Sequence, residues 1–146
     1  MKILAQRVLS SSVVVNKKEI ASINEGILAL VGFEKEDKTS TCKSMVKKLV
    51  NYRLFSDNEG KIEKSVIDIR GAILLVPQVT LALDTKKGTR PSFSQAAPPE
   101  LGNQLFGELI LEFKKNENIH LENGLFGADM EISLVNKGPV TFYFEL

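Results

Sequence analysis

With 146 residues, 43% of them hydrophobic and 25% charged, the chain has the length and composition of one globular domain. A net charge of +1 excludes the strongly basic stripe of a broad duplex-binding protein, so any nucleic-acid contact must rest on a local patch or on the small end of an RNA. The lone Cys42 excludes an intrachain disulfide framework or thiolate metal cage and suits a reducing cytoplasm, no run reaches the ~18 apolar residues of a membrane span, and Gln6 and Arg7 come too early for a signal peptide.

Apolar residues predict a first strand over residues 3–8 and a second at 13–15. The polar turn Asn16-Lys17-Lys18-Glu19 leads into a third strand, 20–23. Gly26 opens the continuous apolar run 27–33, whose length predicts a central strand covered on both faces. After a charged loop, Cys42, Met45, Val46, Leu49 and Val50 recur at the spacing of one helical face, with Thr39, Ser40 or Thr41 available as cap. Lys43, Lys47 and Lys48 lie off that face, as a solvated surface or as an RNA patch. Residues 56–61 read as a turn, and Ile67 and Ile69 lead to a second buried run, 72–76, which delivers Gln78 and Thr80 at its end.

A basic loop, Lys86-Lys87-Gly88-Thr89-Arg90, follows. Pro98 and Pro99 then open a second helix, in which Leu101, Leu105, Leu109 and Phe113 are spaced by four. Asn123-Gly124 is a turn, and the runs 130–135 and 140–146 finish the sheet. Many strands with two inserted amphipathic helices, mostly without βαβ alternation, predict an α+β, mainly β domain over 1–146, with a barrel-like or strongly curved sheet.

Elimination narrows the chemistry. One histidine, His120, is a poor basis for a metal site, and Cys42 on an apolar helix face reads as an inert core residue. No phosphate-binding glycine loop is present, and Asp57, Glu59, Asp84 and Asp129 are scattered. What remains is a site poor in titratable groups, with no metal and no cofactor.

Gly138-Pro139 joins two strand-like runs and reads at first as a hairpin corner. A functional reading comes from a second stretch. Asn136-Lys137-Gly138-Pro139-Val140-Thr141, together with Gln78, Thr80 and Leu81, resembles the paired signatures of the D-aminoacyl-tRNA deacylase family. Gln6-Arg7-Val8, Tyr52-Arg53-Leu54-Phe55-Ser56-Asp57 and Gly88-Thr89-Arg90-Pro91-Ser92-Phe93 extend the resemblance along the chain. The departure is Pro77, where the family has Ser, so a side-chain hydroxyl at this position is excluded and a mechanism through the backbone N–H of Gln78 or Thr80 survives.

The resemblance implies hydrolysis of the ester between a D-amino acid, or glycine, and the 3′-terminal adenosine of tRNA. An aminoacyl ester is already activated, and the vicinal 2′-hydroxyl can orient water, so backbone donors suffice for the oxyanion. It also implies a homodimer with active sites at the subunit interface. There a cis Gly138-Pro139 peptide of one subunit excludes L side chains from the other's pocket, braced by Arg7. Phe126 and Met130 match pocket positions and read equally as core residues. Thr80 reads as a positioning group, since no neighbouring base would make it a nucleophile. Lys86, Lys87 and Arg90 are candidate RNA contacts or a solvated loop. A non-catalytic RNA-end-binding module and a plain structural dimer are the other readings.

Overall fold

The computed structural model describes residues 1–84 and 88–146. Its first strand, β1 (Lys2–Val15), runs unbroken through both N-terminal apolar runs, where the sequence predicts two strands. The intervening serines do not stop it because Ser11 is buried with its hydroxyl donating to the Ser133 carbonyl at 2.8 Å, and a buried hydroxyl with a partner costs little. Asn16 and Lys17, both at positive φ, turn the chain into β2 (Lys18–Ile23), which pairs with the second half of β1. β3 (Gly26–Gly32) pairs with the first half on the same edge. One long strand serving two partners on one edge and a third on the other, with register shifts along its length, curls the sheet towards a barrel.

α1 (Thr39–Asn51) buries the predicted face, Cys42, Met45, Val46, Leu49 and Val50. None of the three expected residues is the N-cap: Lys38 holds that position in extended backbone, and Thr41, in the first turn, reaches back so that its Oγ1 accepts from the Lys38 N–H at 3.2 Å. The small hairpin β4 (Phe55–Ser56) and β5 (Ile62–Lys64) precedes β6 (Ala72–Pro77), which lies parallel to β3, with Ile27 opposite Ile73 and Leu30 opposite Val76. A 3-10 turn over Val79–Ala82 and α2 (Pro99–Phe113) follow. β7 (His120–Asn123) is parallel to β6, and β8 (Glu131–Glu145) is antiparallel to β1 along nearly all of it.

Two parallel pairings are each bridged by a helix, so βαβ connections are present where the sequence order points away from them. The hairpin between α1 and β6 and the 3-10 turn after β6 dilute the alternation. The class is α+β and mainly β, as expected, with two helices on a nearly closed, barrel-like sheet.

Both central strands are covered on both faces. Ile27, Ala29, Val31, Ile73 and Leu75 pack under α1 and α2, with Met45, Leu49, Leu105, Leu109 and Phe113. Leu28, Leu74 and Val76 face the opposite way onto Val8, Val13, Ala21 and Ile23. That double coverage is why β3 and β6 read as unbroken apolar runs rather than alternating ones.

Candidate active site

β3 and β6 end side by side, and a cleft of about 660 Å³ opens beyond their carboxyl ends. Pro77, Gln78 and Val79 form one wall, Ala97, Pro98 and Pro99 at the start of α2 another, and Phe126, Ala128 and Met130 a third. Phe93, 60% exposed, and Lys35 stand at its rim. A narrow extension of about 30 Å³ reaches beneath Phe126 to Val31 and Phe33. Space for the two bulky walls comes from glycines opposite them. A Cβ on Gly102 would lie 3.0 Å from the Phe126 ring, and one on Gly124 2.8 Å from the Met130 sulfur.

Among the described residues, none that lines the cleft carries a carboxylate or an imidazole. The polar side chains at hand are the Gln78 amide, the Lys35 ammonium at the rim and, just outside the lining, the Thr80 hydroxyl; the rest is main chain. Gln78 Nε2 donates to Thr80 Oγ1 at 2.6 Å, which leaves the threonine hydroxyl hydrogen free to act as a donor. The Gln78 backbone N–H is already committed, donating to the Val31 carbonyl at 2.7 Å, so it cannot also serve an oxyanion. Among the described residues no backbone carbonyl accepts from the N–H of Val79 or Thr80, the first two of the 3-10 turn.

The same pairing explains Pro77. Successive N–H groups of a strand point to opposite edges. With Gln78 bonded towards β3, the nitrogen at 77 points towards β7, whose register ends at Leu75 opposite Asn123. Proline ends that ladder: the Gly124 N–H donates to the Leu75 carbonyl, the next parallel bond would run from residue 77, which has no N–H, and the Gly124 carbonyl accepts from Asn123 Nδ2 at 2.9 Å instead.

Gly138 and Pro139 do not make a hairpin corner. Both flanking runs of β8 pair with β1, but Thr141 is opposite Gln6 while Asn136 is opposite Val8, so residues 137–140 bulge out opposite Arg7 alone. The Gly138–Pro139 peptide is cis. Arg7, buried to 8% exposure, donates from Nε to the Lys137 carbonyl at 2.9 Å and from Nη1 to the Leu54 carbonyl at 2.9 Å. Asn136 closes the base of the bulge: its Oδ1 accepts from the Val140 N–H at 2.8 Å and its Nδ2 donates to Thr141 Oγ1 at 3.1 Å. Gly138 sits at φ 136°, where a Cβ would lie 2.8 Å from Val140 Cγ2 and 2.9 Å from Arg7 Nη2. The result is a rigidly held, exposed protrusion of main chain.

The family model for D-Tyr-tRNA(Tyr) deacylase matches residues 4–145. The chain belongs to this family. The D-aminoacyl-tRNA deacylase of Francisella tularensis subsp. tularensis is 49% identical over 143 residues, 98% of each chain. That of Teredinibacter turnerae is 49% identical over 145 residues, 99% of each. Among solved structures, one titled c-Myc DNA Unwinding Element Binding Protein superposes with TM-score 0.93 at 37% identity, covering 100% of this chain and 99% of that one. A probable eukaryotic D-amino acid tRNA deacylase superposes with TM-score 0.85 at 17% identity over 99% and 98%, a likeness of fold alone. The relatives support the enzyme class expected from the motifs, a hydrolase of D-aminoacyl-tRNA.

The structure brings Pro77, Gln78, Phe126 and Met130 together in the cleft, with Thr80 just outside the lining and tied to Gln78. Arg7 and Gly138-Pro139 form a second cluster that does not line the cleft of the same chain. Arg90 is exposed and outside the cleft; Lys86 and Lys87 lie outside the described residues. Sequence reasoning assigned no role to Asn136, although the motif contains it, and read Pro98-Pro99 as a helix start without seeing a wall. His120 is exposed, lies 3.2 Å from Glu122 and is not among the residues lining the cleft.

Proposed function

We propose that two copies of this chain form a homodimer that hydrolyses the ester of D-aminoacyl-tRNA, and of glycyl-tRNA carrying glycine on the alanine tRNA, while sparing L-aminoacyl esters. Water attacks the ester carbonyl carbon, the bond to the ribose 3′-oxygen breaks, and a proton reaches that oxygen with help from the vicinal 2′-hydroxyl. The N–H groups of Val79 and Thr80 receive the developing oxyanion. The Gln78–Thr80 pair orients the ester. No side-chain base is required, which fits a cleft whose described lining has no carboxylate or imidazole.

Selectivity rests on the bulge. In this reading the Gly138-Pro139 segment of one subunit enters the other's cleft and stands where an L side chain would point, while hydrogen or a D side chain points elsewhere. One observation carries the reading: the main-chain protrusion is clamped by Arg7 and Asn136 but is absent from the walls of its own chain's cleft. Among the described residues β8 pairs only with β1, and it exposes Leu134, Val135 and Tyr143, a surface that a second copy would cover. In this reading the enzyme works in the cytoplasm, where aminoacyl-tRNA is made and used; no described helix is long and apolar enough to cross a membrane.

Deacylation of D- and L-aminoacyl-tRNA charged with the same amino acid tests the proposal. The D ester should be cleaved and the L ester spared. Equal rates refute the selectivity device, and RNA binding without turnover would favour the non-catalytic RNA-end binder.

A further inference from the structure

We infer that the groove along the C-terminal half of α1 takes the sugar-phosphate backbone of the substrate RNA as it approaches the composite site. The groove holds about 530 Å³ and is lined by Ser44, Lys47, Lys48, Asn51 and Tyr52, with no carboxylate among them. α1 carries Lys43, Lys47 and Lys48 and no acidic residue, in a chain whose net charge is only +1. All three lysines are exposed and, like Lys17 and Lys18 on the β1–β2 turn, none pairs with a carboxylate among the described residues; what sets them apart is that Lys47 and Lys48 share one groove. This is the kind of local basic patch that a near-neutral chain needs to hold RNA.

Its position carries the argument further. Tyr52 packs edge-on against Phe142 at 5.2 Å and Phe144 at 4.8 Å, and Lys48 Nζ lies 5.7 Å from the Phe144 ring centre, which fixes that end of the groove to β8. Two residues on, the Leu54 carbonyl shares the Arg7 guanidinium with the Lys137 carbonyl, beside Gly138. The groove and the protrusion are thus one rigid unit. A protrusion lodged in the partner's cleft brings its groove to the mouth of that cleft, so an acylated 3′ end in the pocket leaves its upstream phosphates over Lys47 and Lys48. This inference rests on the dimeric reading above, but its readout does not depend on turnover.

The experiment is binding of uncharged tRNA over a salt series by fluorescence anisotropy. It compares the native protein, Lys47→Ala/Lys48→Ala, and the control Lys17→Ala/Lys18→Ala on the β1–β2 turn. Each lost phosphate contact lowers the slope of log K against log salt by roughly 0.7–0.9, so the α1 pair should lower it by about 1.5. Two exposed ion pairs make affinity fall on the order of tenfold, with the control close to native. Equal loss in both pairs, no change in the α1 pair, or no binding of tRNA by the native protein overturns the inference. Failure to cleave the D ester would remove the hydrolytic reading and leave this binding result to stand or fall by itself.

Discussion

Gly138→Ala is the most informative single change, because its cost divides into two parts that can be measured apart. At φ 136° an L side chain is strained by about 1–3 kcal/mol whatever surrounds it. The added Cβ would also sit 2.8 Å from Val140 Cγ2 and 2.9 Å from Arg7 Nη2, so the guanidinium must retreat from the Lys137 carbonyl. A hydrogen bond to a charged group is worth about 1.5–3 kcal/mol, and partial loss of one brings the total to about 3 kcal/mol. For a domain of this size that lowers Tm by about 6–12 °C. Gly127→Ala is the control: its φ is 76°, but nothing lies within 4 Å of the new Cβ, so only the backbone part applies, about 1 kcal/mol. Calorimetry of both variants checks the arithmetic. A Gly138→Ala protein melting with the native one, or with Gly127→Ala, would refute the claim that Arg7 and Val140 close around this position.

Two further outcomes follow from the cleft and the core. Thr80→Ser should stay within a few-fold of native turnover and Thr80→Val should slow it about tenfold, the worth of one neutral hydrogen bond; a loss beyond about a thousandfold would instead assign the hydroxyl a covalent role. Cys42 is fully buried, and burial pushes its thiol up to about 11, with Glu108 and Asp37 adding to the effect. The fold favours the neutral thiol, so this stabilisation is present below the unfolded pKa of about 8.5 and is lost as pH rises through 11. The native protein should resist alkylation at pH 8 until denatured, and Cys42→Ala should flatten the fall in stability above pH 9.

The sequence made the helical faces and both central strands legible, because each is fixed by a local pattern: 3.6-residue spacing on α1 and α2, and uninterrupted apolarity where two faces are covered. The resemblance singled out Gln78, Thr80 and Gly138-Pro139, and the structure puts Gln78 in the cleft with Thr80 bonded to it and Gly138-Pro139 on a separate bulge. Pairing was not legible. That Ser11 continues a strand depends on the Ser133 carbonyl, more than a hundred residues away, and the bulge of residues 137–140 exists only by register against Arg7. The commitment of the Gln78 N–H to Val31 is likewise a fact of pairing; it removes Gln78 from the two expected oxyanion donors, keeps Thr80 and adds Val79. The glycines that clear space for Phe126 and Met130 carry no local signal at all.

The account turns on a site built from two chains, and subunit complementation tests this most directly. Gly138→Trp blocks the protrusion and leaves the cleft, while Ala128→Trp fills the cleft and leaves the protrusion; each alone should be inactive on D-aminoacyl-tRNA. Co-expressed as soluble protein, half of the dimers formed at random are mixed and each holds one intact site, so activity should return to about a quarter of native. A mixture as inactive as its parents, despite mixed dimers seen by native mass spectrometry, would contradict the account.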